Sequence, residues 1–206
     1  MGEGDIFPSA PRVNVDVAGW LREGWRIFWT APAVFLLSMA IIGVVLLTAS
    51  KIPIFFTLAF FPLVVGFYLV AADVAAGRSF TPSRLFKGFA WFIPCILAGF
   101  LITLFSTIGA LFLIIPGLII YSWYLFTWLF MADRGLGFWD AMEASRKLTG
   151  GDTAGFFLFF VALIIVNMLG ALCLFAGLFI SLPVTATSIF AAYKETAGLK
   201  TLGVDS

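Results

Sequence analysis

The sequence predicts an all-α polytopic membrane protein with six transmembrane helices, organised as three repeats of an interfacial amphipathic helix and a transmembrane hairpin. Its 206 residues are 62% hydrophobic and 11% charged, whereas ordinary soluble domains carry about a quarter charged residues. Long blocks nearly free of charge alternate with short aromatic and basic stretches, and similar features recur after 60–62 residues. Lipid is therefore the expected surroundings of most of the chain.

The repeat is clearest in the charged residues. Arg22, Arg84 and Arg146 follow one another at intervals of 62 residues, and an acidic residue closes each unit: Asp73, Asp133 or Glu195. A fixed period of this size indicates one structural unit used three times. The predicted organisation is an N-terminal tail (1–16), a single membrane domain (17–195, with units 17–73, 81–133 and 138–195) and a C-terminal tail (196–206).

Each unit is expected to begin with a short amphipathic helix. In 17–28 and 138–148, helical spacing separates apolar residues from charged ones: Val17, Trp20, Leu21, Gly24, Ile27 and Phe28 in the first, and Phe138, Met142 and Ser145 in the second. Thr81 followed by Pro82 is typical of a helix start, with Leu85, Phe86, Phe89 and Phe92 on the apolar face. Such helices lie in the plane of the membrane interface.

The apolar blocks, 31–72, 94–132 and 154–193, are each too long for one span. About 40 helical residues extend roughly 60 Å, twice the ~30 Å hydrocarbon core, so each block must turn back. The predicted spans are 31–50, 53–72, 94–114, 117–132, 154–172 and 175–193. For the last block, a single long tilted helix from 154 to about 181, broken before Pro183, is the alternative.

Charge distribution favours the six-span arrangement. It places eleven of the twelve Lys and Arg residues on one side and leaves Lys51 alone on the other. Short basic loops stay in the cytoplasm, so both termini are predicted to be cytoplasmic.

The residue inventory argues against catalysis. Histidine is absent and the net charge is +1, which removes the commonest general base and gives no basic face for nucleic acid. We predict no enzyme activity, no cofactor and no metal. The three acids that close the units are interpreted as marking the ends of the helices, where each span leaves the lipid. The alternative is that they form a metal site or an acid–base site. Asn167 is predicted to form a hydrogen bond between packed helices, with a substrate or ion contact as the alternative. Pro62 and Pro183 are predicted to kink equivalent helices.

Arg22, Arg84 and Arg146 have two interpretations. They are topology anchors copied by duplication, or they bind anionic lipid headgroups together at the inner leaflet, where each basic residue contributes about 1 kcal/mol.

The third unit carries a family resemblance. The run GFWDAMEASRKLTGG, 137–151, resembles the G-x-x-x-A-x-x-x-S-x-x-L-x-x-G stretch of poorly characterised multi-spanning bacterial inner-membrane proteins. These are related to the non-catalytic membrane domain of some glycerophosphoryl diester phosphodiesterases. The similarity extends over about 115–195, through Leu182-Pro183 to Ala191–Lys194. It implies a six-helix domain of the bacterial inner membrane without an assigned reaction.

The sequence therefore favours a non-enzymatic scaffold or complex subunit of the inner membrane, which self-associates or holds partners and binds membrane lipids, including anionic ones. Small residues in the spans (Gly99, Gly109, Gly170 and Gly177) permit close helix approach, so a homo-oligomer or membrane-complex subunit is expected. The alternative is a small transporter or oligomeric channel. Uniformly apolar spans argue against a polar permeation route.

Overall fold

The fold, a computed structural model that describes residues 14–51, 53–173 and 177–202, consists over those residues of helices joined by turns and loops, without a strand. Residues 1–13 and 203–206 of the predicted tails lie outside this range, as do residues 174–176 of the third predicted turn. The elements are α1 (Val17–Thr30), α2 (Pro32–Ala49), α3 (Pro53–Ala75), α4 (Ser83–Phe86), a 3₁₀ helix (Lys87–Trp91), α5 (Phe92–Phe112), α6 (Ile114–Trp123), α7 (Thr127–Arg134), α8 (Phe138–Gly150), α9 (Thr153–Leu172) and α10 (Leu178–Thr196).

Five helical segments of the described chain are long and apolar enough to cross a membrane. They are Pro32–Ala49, Leu58–Ala75, Ser83–Phe112, Ile114–Arg134 and Thr153–Leu172. The sixth predicted span corresponds to α10, which is not among them. Hydroxyl-bearing side chains, including Ser181, Thr187 and Ser188, lower its hydropathy, and these three are buried against other helices. The structure thus confirms a helical chain with five segments able to cross a membrane, and the sixth span stays a prediction.

The amphipathic faces predicted for α1 and α8 are confirmed for most of their residues. Trp20, Gly24, Ile27 and Phe28 of α1 are buried, as are Met142 and Ser145 of α8. Both helices bury these faces against the rest of the bundle, so protein contacts hold them in position.

The second amphipathic helix was predicted wrongly in two respects. It begins at Ser83, with Pro82 at the cap position and no side-chain capping bond, and after four residues it continues as a 3₁₀ helix. Leu85 is buried, whereas Phe86, Phe89 and Phe92 stack on one another in an aromatic row. In this row Phe86 is 45% exposed and Phe92 is 36% exposed, so the four predicted residues are grouped but not all buried.

Close backbone contact with α3 explains this tighter geometry. A Cβ atom added at Gly66 of α3 would overlap the carbonyl oxygen of Leu85, and one added at Gly88 would overlap that of Pro62. The 3₁₀ conformation brings Gly88 to this contact, because it winds the chain more tightly than an α-helix. The amphipathic segment of the second unit therefore packs on the proline-containing helix of the first.

The predicted span 117–132 is two helices, α6 and α7, with a break at 124–126. The break is filled by α8: the buried hydroxyl of Ser145 donates to the carbonyl of Trp123 at 2.8 Å and accepts from the backbone N–H of Phe126 at 3.1 Å. Thr149 also donates to Trp123, at 3.2 Å. Side chains from α8 thus satisfy backbone groups that a continuous helix would satisfy itself.

The third contact of this kind joins the first helix to the last. Thr187 of α10 donates to the carbonyl of Gly24 in α1 at 2.8 Å. A Cβ atom added at Gly24 would overlap the hydroxyl of Ser188, so the two helices touch along their backbones. Trp20 of α1, only 1% exposed, packs nearby against Phe156 and Phe159 of α9. These contacts close the bundle on itself.

Candidate functional site

A cavity of about 480 Å³ lies in the middle of the bundle, where side chains from all three predicted units meet. Its walls are formed by residues of α3, α5, α6, α7, α9 and α10 and by the break between α6 and α7. Most of the lining is aromatic or aliphatic, including Phe61, Tyr68, Ile102, Trp128, Phe160 and Leu163. The volume falls within the roughly 300–1,000 Å³ range of small-molecule pockets.

One wall of this central cavity is polar. Asn167 of α9 donates from Nδ2 to the hydroxyl of Thr185 at 2.7 Å and accepts from that of Ser181 at 3.0 Å. Its Nδ2 also donates to the carbonyl of Leu163 at 2.9 Å. These bonds join α9 to α10 and confirm the predicted hydrogen bond between packed helices. Asn167 and Thr185 also line the cavity. A molecule bound in the cavity would therefore contact this polar cluster on one wall.

The central cavity opens to the surroundings of the bundle. Four of its lining residues, Phe60, Thr103, Tyr121 and Met168, are exposed. Each belongs to a segment apolar enough to cross a membrane. The opening therefore faces the hydrocarbon region if those segments span, and a lipid chain can reach the interior without crossing water.

The three predicted headgroup-binding arginines lie in three different settings. Arg22 is exposed on α1. Arg84 is half-buried and pairs with Asp73, its Nε lying 2.7 Å from Oδ2. Arg146 makes two hydrogen bonds to Glu143, of 2.9 and 2.8 Å, which lower the pKa of that carboxyl. Their joint binding of anionic lipid stays a prediction, and two of the three already have carboxylate partners.

Two of the three acids that close the units connect neighbouring units. Asp73 at the end of α3 pairs with Arg84 and also with Arg78, whose Nε lies 3.0 Å from Oδ1. Glu195 at the end of α10 accepts a 2.8 Å hydrogen bond from the indole of Trp20 in α1. These carboxylates do more than mark helix ends, because they attach one unit to the amphipathic segment of another.

The third acid, Asp133, has a role that sequence reasoning missed. Its side chain is fully buried and accepts from three consecutive backbone N–H groups, those of Lys200, Thr201 and Leu202, at 2.9–3.0 Å. The phenol of Tyr193 donates to the same carboxylate at 3.0 Å. The Asp133 carbonyl accepts from the Thr201 hydroxyl.

Two arginines complete this attachment. Arg134 donates to the carbonyl of Ala197 and Arg78 to that of Leu202, each at 2.8 Å, and Leu202 is buried. The first part of the predicted C-terminal tail is therefore a bound segment. We refer to 197–202 as the docked segment. No local pattern in 197–202 predicts this attachment, because the residues that bind the docked segment lie more than 60 residues away in sequence.

The glycines expected to support association are used within the chain. Gly99 packs against the ring of Phe61, and Gly109 against Gly117. Gly170 likewise contacts Gly177 and Ser181. Close helix approach thus occurs inside the bundle, and these glycines no longer argue for a homo-oligomer.

Comparison with known proteins finds similarity to uncharacterized proteins of Mycobacterium bovis and Mycobacterium tuberculosis. The sequences are 29% identical over 126 residues, which is 61% of this chain and 38% of each relative. The matched stretch thus spans well under half the length of those relatives. No protein-family model matches the chain, and no solved structure matches it. The names of the relatives state no activity, so the function has to be argued from the geometry.

Proposed function

We propose that the chain is a non-enzymatic integral protein of the bacterial inner membrane that holds the hydrocarbon chain of a membrane lipid in its central cavity. In this role it acts as a scaffold or as a subunit of a membrane complex. The observation that carries the proposal is a central cavity with mostly apolar walls, contributed by all three predicted units and open towards the membrane-facing side.

A lipid chain is the occupant that this setting favours. Protein interiors are close-packed, and a void forfeits the dispersion contacts of its lining atoms. An opening among membrane-spanning helices faces acyl chains, which are both abundant and apolar. Binding then depends on fit more than on the hydrophobic effect, since lipid tails are as apolar as the cavity walls.

The helix contacts support the proposed threefold architecture. Gly24, Leu85 and Ser145 lie 61 and 60 residues apart. Each contacts the second helical arm of another unit: Gly24 meets Thr187 and Ser188, Leu85 meets Gly66, and Ser145 meets Trp123 and Phe126. The contacted positions near 66, 126 and 187 follow the same period. We infer that each amphipathic segment docks on the preceding unit and that the first docks on the last.

The proposed topology has six spans, with the N- and C-termini in the cytoplasm. Single cysteines placed at Lys51, at the exposed Leu113 between α5 and α6, and at Ala176 are expected to react with a membrane-impermeant thiol reagent added from outside. Cysteines at Arg78 and Lys147 should react only after the membrane is opened. Native Cys95 and Cys173 are first replaced by alanine. Labelling of the cysteine at Leu113 or at Ala176 from the cytoplasmic side would contradict the hairpin arrangement. The long-helix alternative for the last block is not found, because α9 ends at Leu172 and α10 contains Pro183.

The lipid proposal is tested by filling the cavity. Val64→Trp places an indole in the central cavity from α3, and native mass spectrometry of protein purified in mild detergent is expected to show loss of a copurifying lipid. Val44→Trp is the matched control. Val44 lies on α2, is 64% exposed and is not among the cavity-lining residues, so its variant should retain the lipid.

The same spectra report the subunit number, which tests the proposed self-association or partner binding. If the wild-type protein were detected only without a bound lipid, the proposal would be contradicted. Retention by both variants would place the lipid elsewhere and favour the second candidate function, a small transporter or channel. The observation that favours that candidate is the Asn167 cluster in the cavity wall, since polar groups at depth mark solute pathways.

A further inference from the structure

A second cavity, of about 590 Å³, lies where the 3₁₀ helix, the end of α7 and the docked segment meet. Three of its lining residues are the cations Arg84, Lys87 and Arg134, and none is a carboxylate. We call it the basic groove. It shares no lining residue with the central cavity, so the two sites can be tested separately.

The guanidinium of Arg134 is held in place. One nitrogen, Nη2, donates to the Ala197 carbonyl at 2.8 Å, and Cζ lies 5.2 Å from the centre of the Phe130 ring. Its Nε is buried and makes no hydrogen bond to any described residue. Arg134 also interacts with the Tyr193 phenol. An arginine has five N–H donors, and this fixed guanidinium lines a groove that supplies no acidic partner.

The remaining charges at the groove do not neutralise it. Asp73 pairs with Arg84 and Arg78, and Asp133 is occupied by the docked segment and Tyr193. The described carboxylates form no ion pair with Lys87 or Arg134. Lys87 is exposed and can turn towards an anion. The groove thus presents two cations without carboxylate partners, beside a third that is fixed by its partner.

We propose that the basic groove binds a phosphate group, with Lys87 and Arg134 as its principal donors. Guanidinium and phosphate form paired, charge-assisted hydrogen bonds, and an ammonium group adds a second charge without a fixed direction. Trp91 and the exposed Phe86 lie beside these cations, as expected where a phosphate carried by a lipid meets the interface.

The test measures binding to the full chain in an uncharged detergent by calorimetry. Dihexanoyl phosphatidic acid, inorganic phosphate and dihexanoylglycerol are compared, the last being the same lipid without its phosphate. Wild-type protein is expected to bind phosphatidic acid and not dihexanoylglycerol. Lys87→Gln should weaken binding about fivefold, the equivalent of about 1 kcal/mol per basic residue near the surface. Added salt should reduce this difference.

Two further variants make the result specific. Lys87→Arg keeps the charge and should retain binding. Lys194→Gln removes the same charge from an exposed position outside the groove and should leave binding unchanged. If inorganic phosphate binds as tightly as phosphatidic acid and is equally weakened by Lys87→Gln, the phosphate ligand is a soluble one. If it does not bind, the ligand is a lipid headgroup.

Equal losses in Lys87→Gln and Lys194→Gln would overturn the proposal, and so would an absence of binding by both phosphate compounds. Equal losses would indicate attraction by the overall charge of the protein, without a site in the groove. None of these results depends on the central cavity. Failure here therefore leaves the outcome of the Val64→Trp experiment unaffected.

Discussion

Replacing Gly66 by leucine is expected to destabilise the protein severely. A Cβ atom at this position would overlap the carbonyl oxygen of Leu85, and the rest of the leucine side chain would need further space. The obstacle is backbone on a neighbouring segment, so rotation of a side chain cannot relieve it. Overpacking typically costs about 1–3 kcal/mol, and more where the backbone must move. We expect a loss at or above the upper end of this range, measured as a lower Tm in detergent.

Gly43→Leu is the matched control for this change. Gly43 lies within α2, and a Cβ atom there would meet no atom within 4 Å. Both variants exchange a helical glycine for leucine, and leucine has the higher helix propensity. Gly43→Leu should therefore leave the Tm unchanged or raise it slightly. If the two variants had the same Tm, α3 and the second amphipathic segment would not be in backbone contact, and the proposed docking between units would lose one of its three contacts.

The parts of the fold that could be predicted are those that local sequence determines. Apolar blocks identify the helices that are long and apolar enough to cross a membrane, and helical spacing identifies the buried faces of α1 and α8. Capping is local too: Asp16 and Asp152 accept from Gly19 and Gly155, at 2.8 and 2.9 Å, at the starts of α1 and α9.

The break between α6 and α7 depends on a distant partner. Residues 124–126 include no glycine or proline that would predict an interruption of the helix. The interruption is stabilised by Ser145, about 20 residues later, whose hydroxyl bonds to both sides of it. The resemblance motif had singled out Ser145 as a matched position without giving it a role. Its observed role is to join two helices of adjacent predicted units.

The central cavity and the basic groove share this limitation. Each is a space between elements that are far apart in sequence, and a space has no residue pattern of its own. Asn167 was correctly predicted to join helices, but its position in a cavity wall follows from how α9 and α10 pack against the other helices. Arg84 was singled out by its spacing, whereas Lys87 and Arg134 become notable only because the fold brings them beside it.

Equal spacing in sequence also did not give equal surroundings. Arg22, Arg84 and Arg146 repeat at 62 residues, yet one is exposed and two pair with carboxylates. The acids diverge in the same way. Units derived from a common ancestor would keep the packing positions while their surface charges took on separate roles. This is a reason to test the arginines singly as well as together.

Asp133→Asn is expected to release the docked segment and expose Lys200 to trypsin. The wild-type carboxylate accepts three backbone N–H groups through Oδ1 and the Tyr193 phenol through Oδ2. An asparagine has one acceptor oxygen, so its NH₂ group must face either the three N–H groups or the phenol. Hydrogen bonds to charged groups contribute about 1.5–3 kcal/mol each. Losing one such bond corresponds to an increase of roughly tenfold or more in the released population.

Cleavage at Lys200 is followed by mass spectrometry during limited trypsin digestion, with cleavage at Lys194 in the same chain as the internal reference. Lys194 is exposed on α10 and lies before the docked segment. Asp152→Asn is the control: it weakens another carboxylate-to-backbone bond, the cap of α9, without touching 197–202. We expect it to lower the Tm slightly and to leave the ratio of cleavage at Lys200 to cleavage at Lys194 unchanged. An unchanged ratio in Asp133→Asn would show that the segment is held by Arg78 and Arg134 instead, since their bonds to Leu202 and Ala197 do not involve the carboxylate.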